Sequence, residues 1–364
     1  MDPVSAQNAV AELAREEAAR PRKEPLFWLP APFSTMLRSM LKDERDYPVG
    51  VVFINALLIG IVGNLALLWL STPGTSAWLR AAVIVGYYGL LYGALAQPLI
   101  LGLHFGTHRS IFNNSLGSVI FLNILSPIIG IPPGCYYLHH VVMHHKANNG
   151  RHDLSSTMKF QRDSVLNFLQ YWGEFHLSII RLPFYAFTVN RYVLGAVGAF
   201  CMWGWFAMAW YIAVVHSVFF AWAALLGPYF VCSFALMLGN FTQHAFINPD
   251  CPHENMGLTL QAMNSHENQH CFLDGYHVTH HIHGGLHWSQ LPLRFADEIH
   301  RYAEADALVF SDLGYMDITA LIFTGQLERL AKYYVHYGQT KVPRTTEEIV
   351  AEFRRRLAPI VATE

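Results

Sequence analysis

The sequence predicts an all-α integral membrane protein, with four transmembrane helices and a helical cytosolic cap that holds a histidine-rich di-metal site. Three observations carry that expectation. Only 14% of the 364 residues are charged and 53% are hydrophobic, whereas a soluble domain carries roughly a quarter charged residues. Four apolar blocks match the roughly 20 residues that a helix needs to cross a hydrocarbon core. Of the 20 histidines, 12 gather in short clusters beside those blocks rather than scattering along the chain.

Taken in order, residues 1–48 read as an N-terminal cytosolic leader. It mixes acids and bases and lacks the apolar region of a signal peptide, so it is expected to be a frayed amphipathic helix or a disordered segment. Residues 49–300 form the membrane domain, with spans at about 49–70, 81–103, 193–213 and 218–240. Segment 115–138 is also apolar, but Pro127, Pro132 and Pro133 interrupt it. Crossing there would put the histidines on its two flanks on opposite faces of the membrane, so it is expected to re-enter or to lie along the interface. Residues 301–364 form a charged C-terminal cytosolic helical segment, in which Thr345 and Glu348 make a capping box opening EEIVAEFRRRL.

Charge placement gives the orientation. Of the 24 Lys and Arg residues, all but Arg80 lie in 1–48, 103–192 or 241–364. The positive-inside rule then puts both termini and the histidine boxes in the cytosol, in an inner membrane or the endoplasmic reticulum. A net charge of −2 offers no footprint for nucleic acid. The five cysteines form no CxxC pair and read as small buried apolar groups.

Four histidine clusters stand out. His104 and His108 end the second span, and His244 follows Asn240 at the end of the fourth. Both pairs have i, i+4 spacing, which puts two side chains on one helix face. The stretch HHVVMHH supplies His139, His140, His144 and His145, and YHVTHHIHGGLHW supplies His277, His280, His281, His283 and His287. Adjacent histidines on a helix point in different directions, so a pair such as His144–His145 can serve two ions. The expected ligands are His104, His108, His140, His144, His145, His244, His277, His280 and His281, too many for one ion and suited to two. Imidazole alone does not name the metal. His140 is preferred over His139 because i and i+4 align on a helix, with His139 kept open as the alternative. His283, His287 and Asp274 are expected to support the ligands, since a ligating histidine usually gives its second N–H to a carboxylate or carbonyl. Asp153, Glu174, Glu254 and Glu267 are further candidates for that role.

The HxxxH, HxxxHH and HxxHH boxes resemble those of the membrane fatty acid desaturases and their hydroxylase relatives. The third is the most specific, because YHVTHHIHGGLHWSQLP is similar to the extended family pattern ending in a Leu-Pro pair, here Leu291-Pro292. Asn240 and His244 are similar to an element of acyl-CoA desaturases in which the histidine binds metal and the asparagine holds a metal-bound water. The middle box departs from the usual HxxHH and is closer to the alkane hydroxylase branch. HHVVMHHKANN followed by DLSST resembles the 1-alkene-forming fatty acid decarboxylases. The resemblance covers about residues 49–300. It implies two iron ions held by histidines, O2 as co-substrate, and hydrogen removal from an unactivated C–H bond of a fatty acid or acyl thioester, with desaturation as the outcome. Hydroxylation or decarboxylation to a terminal alkene are the alternatives, and Lys146, Arg151 and Arg109 are candidates to bind a carboxylate. No haem-binding His-Pro-Gly-Gly motif is present in the chain, which implies a separate electron donor, a ferredoxin or a cytochrome b5-type protein with its reductase. A non-enzyme reading, a histidine-rich metal transporter, places ligands at mid-bilayer depth, where these spans have no histidine.

Overall fold

Four helices are long and apolar enough to cross a membrane: Glu44–Leu70, Ala77–His108, Tyr192–Val215 and Val218–Gln243. They appear in a computed structural model that describes residues 2–21 and 28–360; residues 22–27 of the leader lie outside the described residues. The shortest has 24 residues. At 1.5 Å per residue that exceeds a hydrocarbon core of about 30 Å. The protein is an integral membrane protein with a helical architecture. The second and fourth helices run past the predicted ends at 103 and 240, so that His104, His108 and Asn240 ride on ordered helix.

The chain divides into two units. The first, here the span unit, comprises Glu24–Met143 and Leu177–Leu236. Two of its long helices contain π-helical turns, Leu91–Leu95 and Trp222–Leu226. Such turns shift backbone partners, and in an apolar environment a released carbonyl needs a donor. Tyr88 supplies one, its hydroxyl donating to the Ala223 carbonyl at 2.9 Å. The proline-interrupted stretch breaks into a helix at Ser115–Asn123, a 3-10 turn at Ser126–Ile129 and a short helix at Cys135–Tyr137. Gly130 joins two of these pieces with φ +90°, and a Cβ there would meet the Pro228 backbone at 2.1 Å, so only glycine fits.

The second unit, the polar unit, comprises Met1–Lys23, His144–His176 and Met237–Glu364. Its core gathers Phe246, Phe310, Ile318, Leu330, Phe353 and Leu357 around a short parallel strand pair, Gln261–Met263 with Val309–Ser311. The expected capping box is present at Thr345–Glu348, where the hydroxyl and the carboxylate each accept the other residue's N–H. The leader is helical, as one of its two readings expected, but docked rather than frayed. Residues Pro3–Ala19 form a helix, capped by Asp2, that packs along the helix Leu291–Glu304. The buried side chains Ala6, Val10, Ala11 and Ala14 are small enough to let two helices approach closely. That weakly amphipathic stripe is why sequence periodicity did not mark it as docked.

Candidate metal centre

Both units contribute histidine groups, each built by local helix geometry. In the span unit, His104 and His108 stand one turn apart on the helix Ala96–His108. His140 lies on Leu138–His144, which is wound as a π-helix. The ligand nitrogens of His104, His108 and His140 lie within 4.8 Å of one another, and Nε2 of His140 is 2.9 Å from Nε2 of His108. His139, half-buried, is outside this group. A π turn places an extra residue in each turn, which accounts for a middle box one residue longer than HxxHH.

In the polar unit, His144, His244 and His281 are buried and converge within 4.8 Å. Nε2 of His281 is 3.1 Å from Nε2 of His277, and Nε2 of His280 is 3.2 Å from Nε2 of His145. These separations suit a shared ion. Two imidazoles bound at about 2.1 Å with roughly 90 to 110° between them hold their nitrogens about 3.0 to 3.4 Å apart.

The far side of two of these rings is fixed. His144 Nδ1 donates to Asp153 Oδ2 at 2.6 Å, inside a site that excludes water. Asp153 is itself held by the backbone N–H of Asn149 and by the N–H and hydroxyl of Ser155. His244 Nδ1 donates to the Leu258 carbonyl at 3.0 Å. Nδ1 of each ring is therefore the donor, which leaves Nε2 as the atom each ring offers to a metal. His244 Nε2 has no hydrogen-bond partner among the described residues. A buried polar atom left so costs about 1–3 kcal/mol, a penalty that a bound cation removes. Burial, with His144 next, pushes the His244 imidazole down to about 3. Burial and then the neighbouring His145, His277, His244 and His144 push His281 well below its usual value. Neutral imidazole is the form that binds metal. The residues fit a metal ion.

Asp153 was one of five carboxylates expected near the boxes, and its position identifies it as the partner of His144. Asp153→Asn keeps the shape but replaces the anion that holds the Nδ1 proton. Outer partners of ligating histidines are worth about 10–100-fold in metal affinity or activity. A loss in that range is expected, read by metal titration of the purified protein.

The remaining candidates occupy definite places. Asn240 lies one turn before His244, its amide donating to the Tyr171 hydroxyl at 2.7 Å and the Ser155 carbonyl at 3.3 Å. Asp274 accepts from Gln243 at 2.9 Å and stands 4.0 Å from His277 Nδ1. His283 Nε2 lies 2.9 Å from a Glu298 carboxylate oxygen and 3.2 Å from Arg294 Nε, and His287 caps the turn at Ser289. Arg109 is bound to the buried Asp46 at 2.6 Å and reaches Asp43, so it serves the fold rather than a substrate carboxylate. Lys146 and Arg151 are exposed. Sequence reasoning missed Asn149, Thr157 and Arg162. Asn149 bonds Thr157 through both ends of its side-chain amide, and the Thr157 hydroxyl donates to the His244 carbonyl at 2.8 Å. The sequence signals near them were the KANN and DLSST stretches after the middle box, which contain Asn149 and Thr157 but not Arg162.

Asp274 carries a pH prediction. Burial, with Glu267 next, pushes its carboxyl up to about 7, while the Gln243 hydrogen bond opposes the shift. A raised carboxyl takes up its proton more readily folded than unfolded, so acidification from about pH 7 to about 4 favours the fold at this position. His244 and His281 act oppositely, because their contribution is full above about pH 6.5 and is lost as pH falls toward their lowered folded values. Asp274→Asn removes the compensating proton. The metal-free variant is expected to lose stability on acidification more steeply than the native chain, by up to about 1.4 kcal/mol per pH unit. Thermal unfolding in detergent across that pH range measures the slope, and an unchanged slope would mean that Asp274 is already ionised in the fold.

Helices that span a membrane and histidines converging at metal-ligand spacing define an integral membrane protein with a histidine-rich site able to hold a metal. The fatty acid desaturase family profile matches residues 76–313, and the chain belongs to that family. It is thus a membrane fatty acid desaturase-type oxidoreductase whose substrate is a fatty acid. No curated protein and no solved structure matches the chain.

Proposed function

We propose that this protein is an O2-dependent di-iron enzyme that removes hydrogen from an unactivated C–H bond of a fatty acyl chain, with desaturation as its reaction. Two iron ions are held by His104, His108 and His140 from the span unit and by His144, His145, His244, His277, His280 and His281 from the polar unit. His140 and the His144–His145 pair are carried on one unbroken stretch of chain. Asn240 is assigned to hold a metal-bound water. The observation that carries the reading is the His144–His244–His281 group, whose Nδ1 protons at His144 and His244 are fixed on Asp153 and the Leu258 carbonyl.

Iron in such a site supplies O2 activation and hydrogen removal from an unreactive C–H bond. The chain's own task is to hold neutral imidazoles in place and to keep water out. Asp153 anchors one ring, Leu258 another, and burial of His144, His244, His277, His280 and His281 keeps the surroundings dry. The distribution of Lys and Arg supports the reading that both termini and this site face the cytosol. A separate ferredoxin or cytochrome b5-type donor supplies electrons.

The test is metal analysis together with turnover of labelled fatty acids and acyl-CoAs by purified, iron-loaded protein, with headspace gas and lipid extract analysed together. Two irons per chain, O2 uptake on adding reductant and an internal alkene are the expected results. One labile zinc without O2 uptake would overturn the reading. A volatile alkene one carbon short would assign decarboxylation, and an alcohol would assign hydroxylation.

A further inference from the structure

The loop that leads into the third histidine box is held in an unfavourable backbone conformation. Asn264, Phe272 and Leu273 have φ of 55°, 55° and 57°. The left-handed region costs a residue with a side chain on the order of 1–3 kcal/mol, and it persists only where surrounding contacts fix it. The helix that follows, His277–Ile282, has six residues and no side-chain cap from its N-cap residue Tyr276. A helix so short has no stability of its own, so the position of His277, His280 and His281 is set by what holds the loop and the helix start.

What holds the loop comes from the opposite end of the chain. Glu17, on the helix Pro3–Ala19, is 1% exposed. Its carboxylate accepts the Asn264 N–H at 2.6 Å, the Asn268 side-chain amide at 2.9 Å and the Tyr276 hydroxyl at 2.7 Å. These are the two ends and the middle of the loop. Asn268 passes the restraint on, its amide donating to the Ala262 carbonyl and its oxygen accepting the Gly275 N–H. Arg20, one turn further along, donates to the Asn264 side chain. Tyr276 directly precedes His277.

We propose that Glu17 is a positioning residue for the metal centre: the N-terminal helix delivers a buried carboxylate that locks loop 264–276 and thereby places the third histidine box. This rests on the reading of His277, His280 and His281 as metal ligands. A carboxylate offers lone pairs to all three donors at once. Glutamine keeps one acceptor oxygen but turns an amide N–H toward a remaining donor, and alanine offers none.

The experiment uses the full chain with Glu17→Gln, Glu17→Ala and, as a control on the same helix, Arg15→Ala, whose ion pairs with Glu12 and Asp297 are exposed. Hydrogen exchange of the metal-free protein reads the loop, and the visible spectrum and affinity of bound Co2+ read the site. For Glu17→Ala, exchange across 264–282 is expected to rise about tenfold or more, while Pro3–Ala19 and Leu291–Glu304 keep native rates. Cobalt affinity is expected to fall about 10–100-fold, as for loss of an outer partner, with an altered ligand-field spectrum. Glu17→Gln falls between, and it decides the matter if the alanine variant does not fold. Unchanged exchange in 264–282, a uniform rise along the chain, or a native cobalt spectrum would each overturn the proposal. Absence of cobalt binding by the native chain would instead sink the ligand reading, and the exchange data would still report whether Glu17 holds the loop.

Discussion

Replacing His244 with alanine is expected to remove about one metal equivalent per chain and to lower turnover by more than about 100-fold. The lower bound follows from comparison, since losing only the outer partner of a ligating histidine costs about 10–100-fold. His244 is fully buried, its Nδ1 proton is committed to the Leu258 carbonyl, and its Nε2 has no partner among the described residues. Everything about the ring is spent on presenting one lone pair beside His144 and His281, whose ring centroids lie 5.0 and 5.1 Å away. Alanine leaves two imidazoles where three converged, together with a void that neither neighbour can fill. Metal content and O2 uptake of the purified variant measure the effect. His266→Ala is the control, because His266 and His270 share the same i, i+4 spacing while His266 is exposed beside Asp317. It should bind metal as the native chain does. Equal losses in the two variants would mean that spacing, not burial and orientation, had been mistaken for a site.

That contrast marks what a sequence makes legible here. Spans announce themselves because a lipid core demands about 20 consecutive apolar residues, and the four helices are found where the apolar blocks lie. Candidate ligands announce themselves because each box is local: His104 with His108, or His277 with His280 and His281, are brought together by one helical turn. The local winding was less legible. The preference for His140 assumed an α-helix, whereas Leu138–His144 is wound as a π-helix, and His140 still meets His108. The groups behind the ligands were legible only as a class. Asp153 reaches His144 because Asn148 and Asn149 turn the chain back with φ of 51° and 56°, which no periodicity encodes. Glu17 and Tyr276 are separated by most of the chain, and only the tertiary fold brings them together. The docking of the N-terminal helix, as opposed to the helix itself, escaped notice for a related reason, since alanines make a weak hydrophobic stripe but a close helix contact.

The largest effect on stability is expected at Arg162→Met. Arg162 is fully buried, and all its side-chain hydrogen bonds go to backbone carbonyls. Nε donates to Ala245 at 2.7 Å; one terminal nitrogen reaches Thr157, Met158 and Phe160; the other reaches Arg356 and Ala358 at 2.8 and 2.5 Å. Burial pushes the guanidinium down to about 9, opposed by Asp163, so it is still charged at neutral pH. Methionine fills a similar volume but donates nothing, and six carbonyls lose this donor inside the fold, of which Thr157 and Met158 keep a backbone donor from Phe160 and Ile360. At about 1–3 kcal/mol for a buried acceptor left unsatisfied, partial relaxation still leaves a loss on the order of 4 kcal/mol, the range reached when a buried hydrogen-bond network is broken. The thermal midpoint in detergent should fall by roughly 5 °C. Arg162→Lys should recover only part, because an ammonium has three donors on one atom and cannot span carbonyls that a planar fork reaches on both sides. The same network couples stability to the site. Ala245 follows His244, Thr157 donates to the His244 carbonyl, and Arg356 and Ala358 close the C-terminal helix Thr346–Leu357. Loss of metal affinity should therefore accompany the fall in midpoint in Arg162→Met. A midpoint that falls while metal affinity stays native would mean that the backbone around His244 is held by the core phenylalanines alone, with the arginine serving only the C-terminal helix.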